Sequence, residues 1–253
     1  VHIEITMRAH FIILFLIFSS CNDDDVMIIP DYETCNITIP NCNPSEFSPD
    51  ESSVTPIEVS QCHIDEGVNN LAVIPKRYLW FYCSDVDALV YEDSLGNELE
   101  LQVLKRQHVM ENVLWFESAI PACDIITYES VDENMELELL NEEVNIRFRL
   151  VLQPSRWDDY DVLEVNRTTF DDDREYWSNR ALLMFLNHFS SEVIVIANYS
   201  SASSLSIKGQ DYNDVHFNED RSQEVYYNKS CGLIAFRDDS GVFWKFKDVI
   251  LKE

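Results

Sequence analysis

Glycine and positive charge are what this sequence has least of. Five glycines occur in 253 residues: Gly67, Gly96, Gly209, Gly232 and Gly241. No two stand at G-x-G or P-loop spacing. Phosphate cradles of those types need glycine so that the backbone can approach the phosphate closely. The common ATP, GTP and dinucleotide sites are therefore not expected. Eighteen Lys and Arg face 46 Asp and Glu, a formal net charge of −28. Nucleic-acid binding needs clustered cations on the phosphates, so no nucleic-acid partner is expected. Adsorption to an anionic membrane through charge is excluded on the same ground. A G-x-S-x-G elbow, H-E-x-x-H and C-x-x-C are all missing, so no catalytic or metal-binding residue is assigned from a motif.

The chain is nonetheless 46% hydrophobic and 12% aromatic. That rules out disorder throughout and gives enough apolar material for one sizeable core.

The N-terminal residues carry the sharpest signal. Met7-Arg8-Ala9-His10 is a short basic start, and Phe11 to Phe18 is an unbroken apolar run. Eight helical residues rise only about 12 Å, well short of the roughly 20 residues a membrane span needs. The run suits the apolar region of a secretory signal over residues 1–20, with translation expected to start at Met7. Ser19-Ser20 are small, Cys21 follows, and then Asn22-Asp23-Asp24-Asp25. This arrangement resembles the lipoproteins of the Bacteroidota. The resemblance implies that Cys21 carries lipid on its sulfur and becomes the mature N-terminus. It also implies that the acidic residues after it accompany export to the cell surface, so the membrane is a partner through the anchor. Phe18 stands where such precursors more often have Leu. The ending is similar to that of function-unassigned β-rich lipoproteins of the same group, in Tyr226-Tyr227, Gly232 to Phe236 and Trp244.

Cysteine arithmetic agrees with export. Setting Cys21 aside leaves Cys35, Cys42, Cys62, Cys83, Cys123 and Cys231. An even number in an oxidising compartment allows up to three disulfides, in 15 connectivities. Cys35–Cys42 is the one local pairing the spacing suggests.

Residues 21–60 hold five of the eight prolines, with many Ser, Thr, Asp and Asn, and read as a tether. From residue 61 to 253 the chain reads as a single β-rich domain. Tyr78 to Tyr82 reads as an aromatic strand. Asp93 to Asn97 reads as a tight turn between strands. Met135, Leu137 and Leu139 alternate with acidic residues, and Val144, Ile146, Phe148, Leu150 and Leu152 alternate with Asn145, Arg147, Arg149 and Val151. Period-two alternation places one face in a core and the other in water. One segment differs: Trp177, Ala181, Phe185 and Phe189 recur every four residues, after acidic residues at 171–175 that suit a helix start. The expected fold is mainly β, a sandwich or partly closed antiparallel barrel, with one main helix near 171–189.

No cofactor is expected. Asp85/Asp87, Asp158 to Asp161 and Asp171 to Asp173 offer oxygen ligands that calcium would use, but EF-hand spacing is missing. The functional expectation is a lipid-anchored envelope or surface protein without catalysis, binding an unidentified protein or carbohydrate. The alternative is an extracellular hydrolase acting on glycan or peptide. A deep polar pocket holding a His or a carboxylate pair would favour the hydrolase.

Overall fold

The alternation of apolar and polar residues is realised as strands almost everywhere. The computed structural model describes residues 35, 48–54, 63–72, 76, 79–120, 123–155, 160–171, 174–176, 180–187, 193–195, 199–220 and 224–252. Fourteen strands lie among them: β1 (His63–Asn69), β2 (Val86–Glu92), β3 (Glu98–Ile120), β4 (Cys123–Asn141), β5 (Ile146–Pro154), β6 (Tyr160–Asp171), β7 (Arg174–Tyr176), β8 (Arg180–Asn187), β9 (Val193–Val195), β10 (Ser200–Ile207), β11 (Gln210–Asn218), β12 (Val225–Asn228), β13 (Gly232–Arg237) and β14 (Phe243–Leu251). They form one sheet in the order β10-β11-β12-β13-β14-β2-β3-β4-β5-β6-β8-β9. β7 adds to β6, and β1 runs parallel along β4. Every other strand pairing is antiparallel.

The sheet curls so that its two halves face each other. Phe148 on β5 packs on Phe236 on β13, with ring centroids 5.0 Å apart. Asn218 near one end of the sheet donates to the Ala181 carbonyl near the other, at 3.0 Å. Arg167, nearly fully buried on β6, donates to the Arg237 carbonyl at 2.7 Å and pairs with Asp239. The enclosed core takes the inward residues of the alternation: Met135, Leu137 and Leu139 on β4, and Ile146, Phe148, Leu150 and Leu152 on β5. The mainly antiparallel, partly closed β fold is thus as expected.

The Asp93–Asn97 turn is also as read from sequence. Asp93 Oδ1 accepts the N–H groups of Leu95 and Asn97, and Gly96 supplies a φ of +83° that other residues rarely adopt.

Three expectations change. The helix near 171–189 is not formed: β7 and β8 occupy residues 174–176 and 180–187. Recurrence every four residues is also a multiple of two, so an i, i+4 stripe lies on one face of a strand as well as of a helix. Ala181 to Leu186 are all buried, because both faces of β8 are covered. Leu182, Met184 and Leu186 join the main core, while Leu183 and Phe185 join a smaller cluster with Val162. Burial on both faces overrides the helix propensity of Ala, Leu and Met. Trp177 and Phe189 lie outside the described residues.

The aromatic stretch before residue 83 is not a strand. Trp80–Tyr82 form a 3-10 turn with all three rings buried. A strand would alternate them between core and water, whereas one tight turn directs all three inward. Trp80 and Phe81 pack edge to face at 5.5 Å, and Trp80 Nε1 donates to the Ser230 carbonyl at 3.0 Å.

Cys35 does not pair with Cys42. It forms a disulfide with Cys231, across 196 residues of sequence. Cys35 is buried among Ile207, Tyr212 and Val215 on the outer face of the sheet. Asp50 makes a bridge with Val109, exchanging backbone hydrogen bonds with His108 and Met110 at 2.9 Å. The 21–60 segment is thus fastened to the domain at two points. Apart from these and residues 48–54, it lies outside the described residues.

Candidate functional site

The densest group of buried ionisable side chains sits at one end of the core. Register places His108 and Met110 of β3 opposite Met135 and Glu133 of β4, on the inward face. Asp161 occupies the inward position of β6 beyond Leu163. These polar residues interrupt the apolar ladder beside residues 69–72 and Lys76.

Glu133, 1% exposed, is the hub. Its Oε1 meets His108 Nε2 at 2.7 Å and also pairs with Lys76 Nζ. Its Oε2 accepts the Leu71 N–H at 2.8 Å. Asp161, fully buried, accepts the Ala72 N–H at 2.9 Å. Asn69 Nδ2 donates to Asp132 Oδ1 at 2.9 Å. Burial pushes the Glu133 carboxyl up, but the bonds from His108, Lys76 and Leu71 and the lysine charge outweigh it and hold the group below its usual value. The Tyr82 ring stands edge-on to His108 at 6.4 Å, and burial drives its phenol well above the usual range.

A carboxylate that orients an imidazole is half of a catalytic arrangement. The other half needs access for a reacting group. The His108 side chain is 6% exposed, and its Nδ1 is buried with no partner among the described residues. The dyad therefore does not reach a substrate in this conformation. What it does is mechanical: two carboxylates take backbone N–H groups that the crossing segment would otherwise bury unpaired.

A second ion-pair system runs over the outer face. Arg149 holds Glu136 through two bonds of 2.6 and 2.9 Å, and Lys105 approaches the same carboxylate at 3.3 Å. Arg147 pairs with Glu138, and Arg180 with Glu164 at 2.8 Å. The scarce cations thus sit between acidic neighbours on adjacent strands, where like charges would otherwise face each other.

The remaining cysteines, histidines and tryptophans are scattered. Cys21, Cys42, Cys62, Trp157 and His188 lie outside the described residues. Cys83 is disulfide-bonded, and Cys123 opens β4. His63 meets Glu129 at 3.1 Å. His216 is buried with neither ring nitrogen partnered among the described residues, and burial, with the nearby Lys229 charge, pushes its pKa down to about 4. Trp80 and Trp244 are buried, Trp244 donating to Asp238 Oδ2 at 2.8 Å. Among the described residues no three His, Cys, Asp or Glu side chains gather as a metal would require. Of the acidic clusters proposed for calcium, Asp161 is taken up in the buried network and Asp85 and Asp87 are exposed.

Sequence reasoning missed the His108–Glu133 pair. Part of its signal was available: Glu133 is a carboxylate two residues before the inward run Met135, Leu137 and Leu139.

Two open grooves lie on the surface. One, of about 640 Å³, is lined by Glu98, Glu100, Gln102, Leu104, Leu140, Asn141, Glu142 and Glu143. A β-bulge between Val103 and Lys105 turns Leu104 out into it. The other, of about 650 Å³, is lined by Glu219, Glu224, Tyr226, Arg237 and Gly241. Comparison of the chain with family models, curated sequences and solved structures gives no match.

Proposed function

We propose that this is an exported protein, held by lipid on Cys21 at the outer membrane and facing outward, whose β domain binds a ligand or partner without catalysis. The observation that carries the export is the Cys35–Cys231 disulfide. Disulfides persist in oxidising compartments outside the cytosol, the destination that the apolar run and Ser19-Ser20-Cys21 encode. Thirteen residues separate Cys21 from the fastened Cys35. Even fully extended, that length spans only about 50 Å, so the anchor keeps the domain close to the bilayer.

Binding is favoured over hydrolysis because the His and carboxylates of the buried network are sealed in and spent on holding a backbone segment. Open space lies instead on the sheet's outer surface. The hydrolase reading retains one supporting feature, the His108–Glu133 contact.

The test is expression of the whole precursor in a bacterial host, followed by detergent phase partition and intact mass measurement. The wild type should enter the detergent phase and carry acyl mass on Cys21. Cys21→Ser should abolish both. Unchanged processing and partition in the variant would overturn the anchor.

A further inference from the structure

We infer that the seam where the curled sheet closes is an acid-sensitive latch, and that His216 is the group that takes the proton. The inference goes beyond the binding role proposed above and does not depend on it. The seam lies between the two ends of the sheet, β10–β11 on one side and β8–β9 on the other. Among the described residues no backbone ladder crosses it. Two side-chain bonds do: Asn218 Nδ2 donates to the Ala181 carbonyl at 3.0 Å, and Tyr199 Oη to the Arg180 carbonyl at 2.9 Å. A junction held this way parts at less cost than a paired strand, so it is where the fold opens first.

His216 sits on this seam without a polar partner. It lies two residues before Asn218, so both take the inward face of β11, and it is 5% exposed. Neither ring nitrogen has a hydrogen-bond partner among the described residues. A neutral imidazole leaves one N–H unpaired there; an imidazolium leaves two, and a charge. Two charged groups bear on the ring: Lys229, buried in the turn between β12 and β13, and Asp214, exposed on β11. The other neighbouring strands offer it no counter-charge. Tyr227 opposite it on β12 is fully buried, Ser201 opposite it on β10 is neutral, and Arg180 beside the β8 contact is held by Glu164 at 2.8 Å.

A proton therefore works against closure. The closed seam keeps the ring neutral, because burial first and the Lys229 charge second push it down to about 4 from an ordinary 6.5. Opening returns the ring to water and to its ordinary value, so between those two values the open form takes the proton and the closed form does not. The closed seam is thus fully favoured above about pH 6.5, loses ground as pH falls, and levels off below about pH 4. Between pH 7 and pH 4 the open fraction rises about a hundredfold. Opening uncovers core residues on both sides of the seam, Leu182 and Tyr227 among them.

The experiment is hydrogen exchange read by mass spectrometry on the intact, disulfide-bonded protein from pH 7 to pH 4, corrected for the intrinsic pH dependence of amide exchange. Protection over residues 180–187 and 199–218 should fall about a hundredfold, and that of the β4–β5 ladder at 135–141 and 146–152 less than about tenfold. His216→Leu and His216→Phe, each shown by thermal melts at pH 7 to stay folded, should remove the pH dependence of the seam. Lys229→Gln leaves the imidazole in place and takes away its cationic neighbour, so the fall should shrink. Unchanged protection at the seam, an equal fall along the whole sheet, or the wild-type fall in a folded His216 variant would overturn the latch. If neither His216 variant folds, an undiminished fall in Lys229→Gln overturns it. None of those results touches the anchor, which the Cys21→Ser partition tests separately.

Discussion

Gly232 is the position where the packing of this fold is most sharply exposed to test. It opens β13 with a φ of +74°, and a Cβ built there would lie 2.3 Å from Phe81 Cε1 and 2.7 Å from Cδ1. Ordinary carbon contacts begin near 3.5 Å, so the methyl of Gly232→Ala would sit more than an ångström inside the ring. Phe81 is 1% exposed and edge-packed on Trp80, so the ring has nowhere to go. The left-handed backbone costs about 1 kcal/mol for Ala over Gly. Overpacking a dense core adds about 1–3 kcal/mol. The sum is about 2–4 kcal/mol, a large part of the roughly 5–15 kcal/mol that keeps a domain folded. Phe81→Leu trims the ring and should relieve the clash without relieving the backbone. In that background Gly232→Ala should cost only about 1 kcal/mol, a double-mutant coupling of about 1–3 kcal/mol. Urea unfolding followed by tryptophan fluorescence, with disulfides intact, measures all four corners. Equal costs for Gly232→Ala in both backgrounds would refute the close approach of the 3-10 turn to β13.

The folded pKa of Glu133 is depressed, so its contribution to stability is present above the unfolded carboxylate pKa and is lost as pH falls through the lower folded value. Melts from pH 7 down to pH 3 should therefore fall less steeply for Glu133→Gln than for the wild type, from a lower starting stability. Non-reducing proteolysis and mass spectrometry should recover a peptide joining residue 35 to residue 231. Cys35→Ser with Cys231→Ser should lower stability by about 2–5 kcal/mol, as expected for opening a long loop. Leu183→Ala should cost about 2–5 kcal/mol because Leu183 is buried in β8, whereas on the helix read from sequence it would lie opposite the apolar stripe. A loss below about 1 kcal/mol in a urea melt would return that segment to a helix.

Much of the sheet could be read directly. Ile146, Phe148, Leu150 and Leu152 face the core as their alternation says, and the Asp93-to-Asn97 turn closes a hairpin through its own aspartate. Both are local: a strand's period and a turn's chemistry are written in adjacent residues. The candidate sites were not legible in the same way. His108 and Glu133 are 25 residues apart and meet only because a long hairpin fixes their register. Phe217, Tyr226, Arg237 and Phe243 come to share one face only when four strands lie side by side.

The sequence alone thus determined that the chain is mainly β and rich in acid, because periodicity and charge are each written in neighbouring residues. The tertiary structure decided what depends on distant partners. It turned residues 180–187 into a strand, because a second layer covers the face a helix would have left in water. It joined Cys35 to Cys231 in place of its nearer neighbour, because Cys35 packs against the sheet with the two Cα atoms 5.4 Å apart, while sequence spacing cannot choose among 15 pairings. And it gathered His108, Glu133, Lys76 and Asp161 at one end of the core, where the two inward carboxylates satisfy the Leu71 and Ala72 N–H groups.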